Sequence, residues 1–205
     1  MPFRIEPSQL FALQATVWPE VRFYDKQVEV LTAAVTARET YVTAGNKLGK
    51  DFLAGYLALA SFIICKQYDV TCRIITTSVA EHHLKVLWGE IGRFTSKGKL
   101  LDGRPLAGRA EDQFSINHMD IRRAPEALAK NPLSYLVGRV SEHGEGLAGH
   151  HSEWSLLIGD EASGLSDEVY EMGQGWAHHM LFIGNPNQCQ NFYRRAVKKG
   201  DVYES

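Results

Sequence analysis

The stretch Thr40-Tyr41-Val42-Thr43-Ala44-Gly45-Asn46-Lys47-Leu48-Gly49-Lys50-Asp51 joins a short β-rich run to a long apolar one. Threonine, tyrosine and valine favour extended chain up to Gly45, whereas Asp51 to Gln67 reads as an apolar helix ending in polar residues. A turn in that setting points backbone N–H groups at an anion, the helix N-terminus adds partial positive charge, and a lysine adds a full one. The usual phosphate-loop pattern is glycine, four residues, then glycine, lysine and a hydroxyl residue. Ala44 occupies the first glycine's place, Gly49 and Lys50 match, and Asp51 replaces the hydroxyl residue. A carboxylate there suits Mg²⁺, which prefers hard oxygens, but it also puts negative charge beside the phosphates. Productive nucleotide binding should then depend strongly on the metal. An ordinary glycine-containing strand-to-helix turn is the plainer alternative.

Outward from this loop, strands and helices alternate. Asp25 to Arg38 has helical spacing through Val28, Leu31 and Val35, and Thr71 to Thr77 reads as a buried strand. Ser78, with Glu81 three residues on, predicts a capped helix from Val79 to Phe94. Gln113 to Arg122 alternates as a strand or hairpin, and Ser134 to Arg139, Ser155 to Ile158 and Met180 to Ile183 read as further strands. Ser166 to Gly173 reads as helix. This order predicts an α/β, three-layer P-loop NTPase sandwich with a mostly parallel central sheet. The expected division is an N-terminal arm, 1–22, in which residues 1–20 form an irregular stretch or a short helix, and a P-loop ATPase domain, 23–205, in which 97–132 forms a small edge extension or lid.

Composition narrows the classes. The 205 residues are 44% hydrophobic and 22% charged, as in an ordinary globular domain. No apolar run approaches the roughly 20 residues of a membrane helix, and the N-terminus lacks a signal-peptide pattern. No membrane partner is expected. Cys65, Cys72 and Cys189 are too few and too scattered for a disulfide framework or a zinc site. A formal charge of −2 argues against coating nucleic acid by bulk positive charge.

A second cluster follows the apolar run Leu156-Leu157-Ile158-Gly159, which ends in Asp160-Glu161. A Mg²⁺-ATPase needs one carboxylate to orient the metal and another to polarise the attacking water. Such ligands lie beyond the carboxyl ends of parallel strands, where the phosphate loop also lies. A solvated acidic pair opening a loop is the bland reading. A third apolar run, Leu181-Phe182-Ile183, leads into Gly184-Asn185-Pro186 and places an amide where it could sense the γ-phosphate. Alone, Asn-Pro is a common turn.

Taken in order, these segments resemble the ATPase part of the large subunit of tailed-bacteriophage terminases, from about Tyr24 to the C-terminus. Phe23-Tyr24-Asp25-Lys26-Gln27 looks like that family's adenine element, in which Gln27 would read an adenine edge; a helix-surface glutamine fits the same position. Thr76-Thr77-Ser78 to Leu87, Gly146 to His151 and Asp167 to Glu171 are similar to other family segments, and Phe192-Tyr193 looks like the start of its linker. The resemblance implies a Mg²⁺-dependent ATP hydrolase that drives double-stranded DNA into a procapsid. It implies a homo-oligomeric ring at a capsid portal, a small terminase subunit as partner, and the host-cell cytoplasm as location.

It further implies that Lys50, Glu161 and Asn185 are catalytic, and that Asp160 and Asp51 hold Mg²⁺. Tyr24, Gln27, Gly45, Asn46, Lys47, Leu48, Gly49, Lys50, Asp51 and Phe52 would bind ATP. The family's arginine positions hold other residues here, leaving Arg139, Arg122 and Arg123 as candidates by charge alone, each with a surface role as its plainer reading. The family's C-terminal nuclease domain is absent from this sequence, so no nuclease activity is expected of it. Two other readings stay open: a non-catalytic nucleotide-binding or assembly module, and a helicase-like repair ATPase core. The pairs His82-His83, His150-His151 and His178-His179 lack the spacing of a metal site and read as structural or surface residues, although His150-His151 could approach the nucleotide. The basic clusters Lys97-Gly98-Lys99, Arg122-Arg123 and Arg194-Arg195 with Lys198-Lys199 read as solvated charge or contacts to a DNA backbone.

Overall fold

The structure, a computed structural model, describes residues 2–45, 49–99, 106, 114–123, 129–141, 146–185 and 189–199. Its helices are α1 (Pro7–Val17), α2 (Asp25–Thr36), α3 (Lys50–Gln67), α4 (Glu81–Lys97), α5 (Asp167–Gln174) and α6 (Phe192–Lys199). Its strands are β1 (Glu39–Thr43), β2 (Cys72–Ser78), β3 (Phe114–Asn117), β4 (Asp120–Arg123), β5 (Tyr135–Val140), β6 (Trp154–Asp160) and β7 (His179–Gly184). They form one seven-stranded sheet in the order β1-β7-β6-β2-β5-β4-β3. All pairings from β1 to β5 are parallel, and the β3–β4 hairpin adds antiparallel strands at the edge beyond β5. The sheet is thus the mostly parallel one expected, with an edge extension. The strand ending at Asn185 lies between those carrying the phosphate loop and the acidic pair.

Alternation along the strands divides the core between the two faces of the sheet. Ile74, Leu156, Ile158, Leu181 and Ile183 belong to one apolar cluster with α1 to α4. Ile75, Leu157, Met180 and Phe182 belong to another with Val169 of α5 and with Phe192 and Tyr193 of α6. Every residue of β6 is buried, as a central parallel strand requires. Helix α3 is buried without a break from Leu53 to Cys65, which explains an apolar composition too uniform for a surface helix.

The N-terminal segment takes the short-helix form of the two expected, whereas the expected cap of α4 is not found. The segment 1–22 contains α1, whose Leu10, Leu13 and Val17 join the main core, as does Trp18 just beyond. The Trp18 indole N–H donates to the Phe94 carbonyl at 2.9 Å, and the Tyr56 hydroxyl donates to the Leu10 carbonyl at 2.6 Å. Ser78 does not cap α4: it completes β2, and Ala80 occupies the cap position. Sheet pairing outcompetes the local capping pattern, and Glu81 instead pairs with Lys85 on the helix surface.

Candidate functional site

Because β1, β7 and β6 run parallel, their carboxyl ends meet at one edge of the sheet. Lys50 begins α3, Asp160 ends β6, Glu161 follows it, and Asn185 follows β7. The Lys50 ammonium lies 3.0 Å from Glu161 Oε2 and 3.7 Å from Asp160 Oδ1. Asn185 Nδ2 donates to Glu161 Oε1 at 2.9 Å. Both Glu161 oxygens are therefore engaged, one by each neighbouring motif, although these residues are separated by up to 135 positions in sequence (50 to 185).

Backbone geometry explains how adjacent carboxylates serve one cleft. Successive strand residues point to opposite faces. Glu161, however, has φ 51°, in the left-handed region, and leads into the 3₁₀ turn Ala162–Gly164. That conformation costs roughly 1 kcal/mol or more for a residue with a Cβ. It turns the chain at the strand's end, and the Glu161 carboxylate meets Lys50 beside the Asp160 carboxylate. Gly49 has φ 75° immediately before α3, and a Cβ there would lie 3.2 Å from Gln27 Nε2. The glycine thus lets the loop enter the helix and admits the Gln27 amide. Gln27 is buried, contrary to a helix-surface role.

Among the described residues, Asp51, Asp160 and Glu161 lie around Lys50. Burial pushes the Asp160 carboxyl up to about 6; Asp51 adds to the rise and Lys50 opposes it. Burial also raises Asp51, against the pull of Lys50. For Lys50, burial disfavours the ammonium, but the Glu161 hydrogen bond and the surrounding carboxylates outweigh it and hold its pKa above the ordinary value. Asn185 Oδ1 is buried and has no hydrogen-bond partner among the described residues. No three His, Cys, Asp or Glu side chains among the described residues form a metal site by themselves. A buried Asp160 whose pKa is raised by the half-buried Asp51 beside it nevertheless suits a divalent cation, above all Mg²⁺, which keeps water ligands and shares phosphate oxygens.

The other expected residues fall in different places. Asn46, Lys47 and Leu48 lie outside the described residues. Tyr24 is 52% exposed at the start of α2. Phe52 packs on Phe23 and Phe94, with ring centroids 6.0 and 5.0 Å apart, as part of an aromatic cluster. Arg122 is held by Asp120, whereas Arg123 is buried, against its surface reading, and donates to the Val70 carbonyl. Arg139 is exposed on β5. His150 lies between the Tyr135 hydroxyl and the Gly146 carbonyl, at the beginning of β5 and the opposite sheet edge from Lys50, so it does not approach this site. His178 bonds Ser155, and His179 Nδ1 donates to the Ala37 carbonyl at 2.7 Å. Cys65 and Cys72 are buried free thiols, and Cys189 is a half-buried one.

The described residues thus place a strand-to-helix connection at an edge strand, carboxylates two strands away and an amide on the strand between. Solved structures bear the same architecture. The ATPase domain of the Thermus phage P74-26 large terminase aligns with a TM-score of 0.62 over 98% of this chain and 79% of that one, at 16% identity. A mutant of that domain aligns at 0.63 over 97% and 77%, also at 16% identity. The HK97 bacteriophage large terminase aligns at 0.59 over 87% of this chain and 37% of that one, at 14% identity. The chain therefore has the fold of phage large-terminase ATPase domains. No family model matches its sequence, and no curated protein matches it significantly.

Proposed function

We propose that this chain is the Mg²⁺-dependent ATPase domain of a viral terminase large subunit, which uses ATP hydrolysis to move double-stranded DNA into a procapsid. The observation that carries the proposal is the convergence of Lys50, Asp160, Glu161 and Asn185 from three strand ends. In this reading Lys50 exchanges its Glu161 contact for the outer phosphates, and the backbone N–H groups around Gly49 cradle them. Freed from Lys50, Glu161 Oε2 accepts a hydrogen bond from the attacking water while Asn185 fixes Oε1. Asp160 and Asp51 would hold Mg²⁺, which when bound offsets the negative charge developing on the phosphoryl oxygens. Gln27 and Tyr24 would hold the adenine. The host-cell cytoplasm, portal ring, small terminase subunit and DNA track belong to the same proposal and rest on the fold likeness.

Asp51 in the hydroxyl position favours one second reading, a nucleotide-dependent assembly module without turnover. Phosphate release, measured with Mg²⁺ over a range of protein concentrations with and without double-stranded DNA, separates the two. Hydrolysis is expected to rise with concentration as rings form. Glu161→Gln should keep ATP affinity and lose about 10²–10⁴-fold in kcat. Unimpaired turnover by this variant would remove Glu161 from the mechanism; ATP binding without phosphate release at any concentration would favour the assembly module.

A further inference from the structure

The first turn of α6 contacts the backbone beside each of the three motifs. The Tyr193 hydroxyl donates to the Val42 carbonyl at 2.8 Å, and the Gly184 carbonyl and Thr43 Oγ1 lie 3.1 and 3.4 Å from the same oxygen. Val42 and Thr43 end β1 before the phosphate loop, and Gly184 ends β7 before Asn185. The Tyr193 ring also lies against Gly184, where a Cβ would come within 3.1 Å of its Cε1 and Cζ. Tyr193 is 2% exposed, and burial raises its phenol pKa, so it remains a neutral donor.

Two residues earlier, Asn191 Nδ2 donates to the Ala162 and Leu165 carbonyls at 2.8 and 2.6 Å, within the turn after Glu161. Asp167 Oδ1 accepts from the Phe192 N–H at 2.6 Å and fixes the same turn of helix. The start of α6 is therefore anchored to the Glu161 turn at one point and to the ends of β1 and β7 at another. The Gly184 carbonyl also accepts from the Ala44 N–H at 3.1 Å, so the phenol adds a side-chain brace to the backbone pairing at the β1–β7 junction. The next residue, Asn185, reaches Glu161 at 2.9 Å.

We infer that Tyr193 is a positioning residue for hydrolysis: its hydroxyl holds the β1 and β7 ends in register, so that Asn185 keeps Glu161 oriented. The inference rests on the ATPase reading. Tyr193→Phe keeps the ring against Gly184 and removes only the hydroxyl, so the fold should survive. Because the effect passes through Glu161 and leaves the phosphate contacts in place, kcat should fall about tenfold. Affinity for ATP, measured with a fluorescent analogue, should stay within about twofold. Amide hydrogen exchange in peptides spanning 39–45 and 179–185 should accelerate without ligand, while that of α3 stays at the wild-type rate.

Unchanged kcat together with unchanged exchange overturns the inference. Faster exchange with wild-type kcat also overturns it, since Tyr193 would then serve packing alone. If the wild-type chain releases no phosphate, the ATPase reading fails separately; exchange in the two peptides then decides whether the brace exists, and unchanged rates refute it.

Discussion

The acid-rich cluster around Lys50 should make the ligand-free protein less stable as pH rises, through Asp160. Its carboxyl has an ordinary value of 3.8 and is pushed up to about 6 in the folded chain. Well below pH 4 the group is protonated whether folded or unfolded, and it contributes no difference. Between the two values the folded protein holds a proton that the unfolded chain releases, so stability declines with rising pH. Above about pH 6 both states are ionised and the full penalty is present. A rise of about two units corresponds to roughly 3 kcal/mol, with no reduction for solvent screening because Asp160 is only 3% exposed.

Urea unfolding of wild type and Asp160→Asn, in chelator and without nucleotide from pH 4 to 8, isolates this contribution from other titrating groups. Wild-type stability minus that of Asp160→Asn should fall by roughly 3 kcal/mol across the window. Asp51→Asn should shift the decline toward lower pH, because the Asp51 charge is the main electrostatic influence raising Asp160. A difference that is flat, or that rises with pH, would refute the account of Asp160 as an ionised, penalised carboxylate.

The remaining predictions concern the loop and the N-terminal helix. Gly49→Ala places a Cβ at φ 75°, 3.2 Å from Gln27 Nε2, and should cost about 1 kcal/mol of stability. It should also weaken ATP-analogue binding, and calorimetric affinity equal to wild type would remove the need for glycine there. Trp18→Ala empties a fully buried site between Tyr56 and Phe94 and should cost about 3–5 kcal/mol, read from the urea midpoint. A shift below about 1 kcal/mol would mean that α1 and Trp18 only rest against the domain.

What was legible in the sequence depended on periodicity and on chain order. The apolar strands and α3 announced themselves because deeply buried parallel strands are short apolar runs, and Lys50, Asp160, Glu161 and Asn185 lie where those runs stop. The segment 1–22 was less legible: its helix lacks a clear apolar face, and Leu10, Leu13 and Trp18 gain meaning only once α3 and α4 are beside them. Ser78 misled because a local capping pattern and a sheet position were both available, and pairing with β5 extended the strand through it. Tyr193 and Asn191 were invisible as positioning residues, since their partners lie on β1, β7 and the Glu161 turn. No local pattern encodes a bond over 151 positions.

Asp51 gains its significance from the same long-range geometry. As a sequence feature it is a departure at the hydroxyl position that suits Mg²⁺ but puts negative charge beside the phosphates. In the folded chain it raises the pKa of the buried Asp160. An asparagine at 51 or 160 would relieve the cost worked out above. The arrangement makes physical sense if a cation joins the site with the nucleotide, since its charge turns that repulsion into binding energy. Asp51→Asn should therefore stabilise the ligand-free protein and weaken its response to Mg²⁺ with ATP, seen as a smaller rise in melting temperature on adding both. An equal rise in wild type and variant would mean that Asp51 does not belong to the metal site.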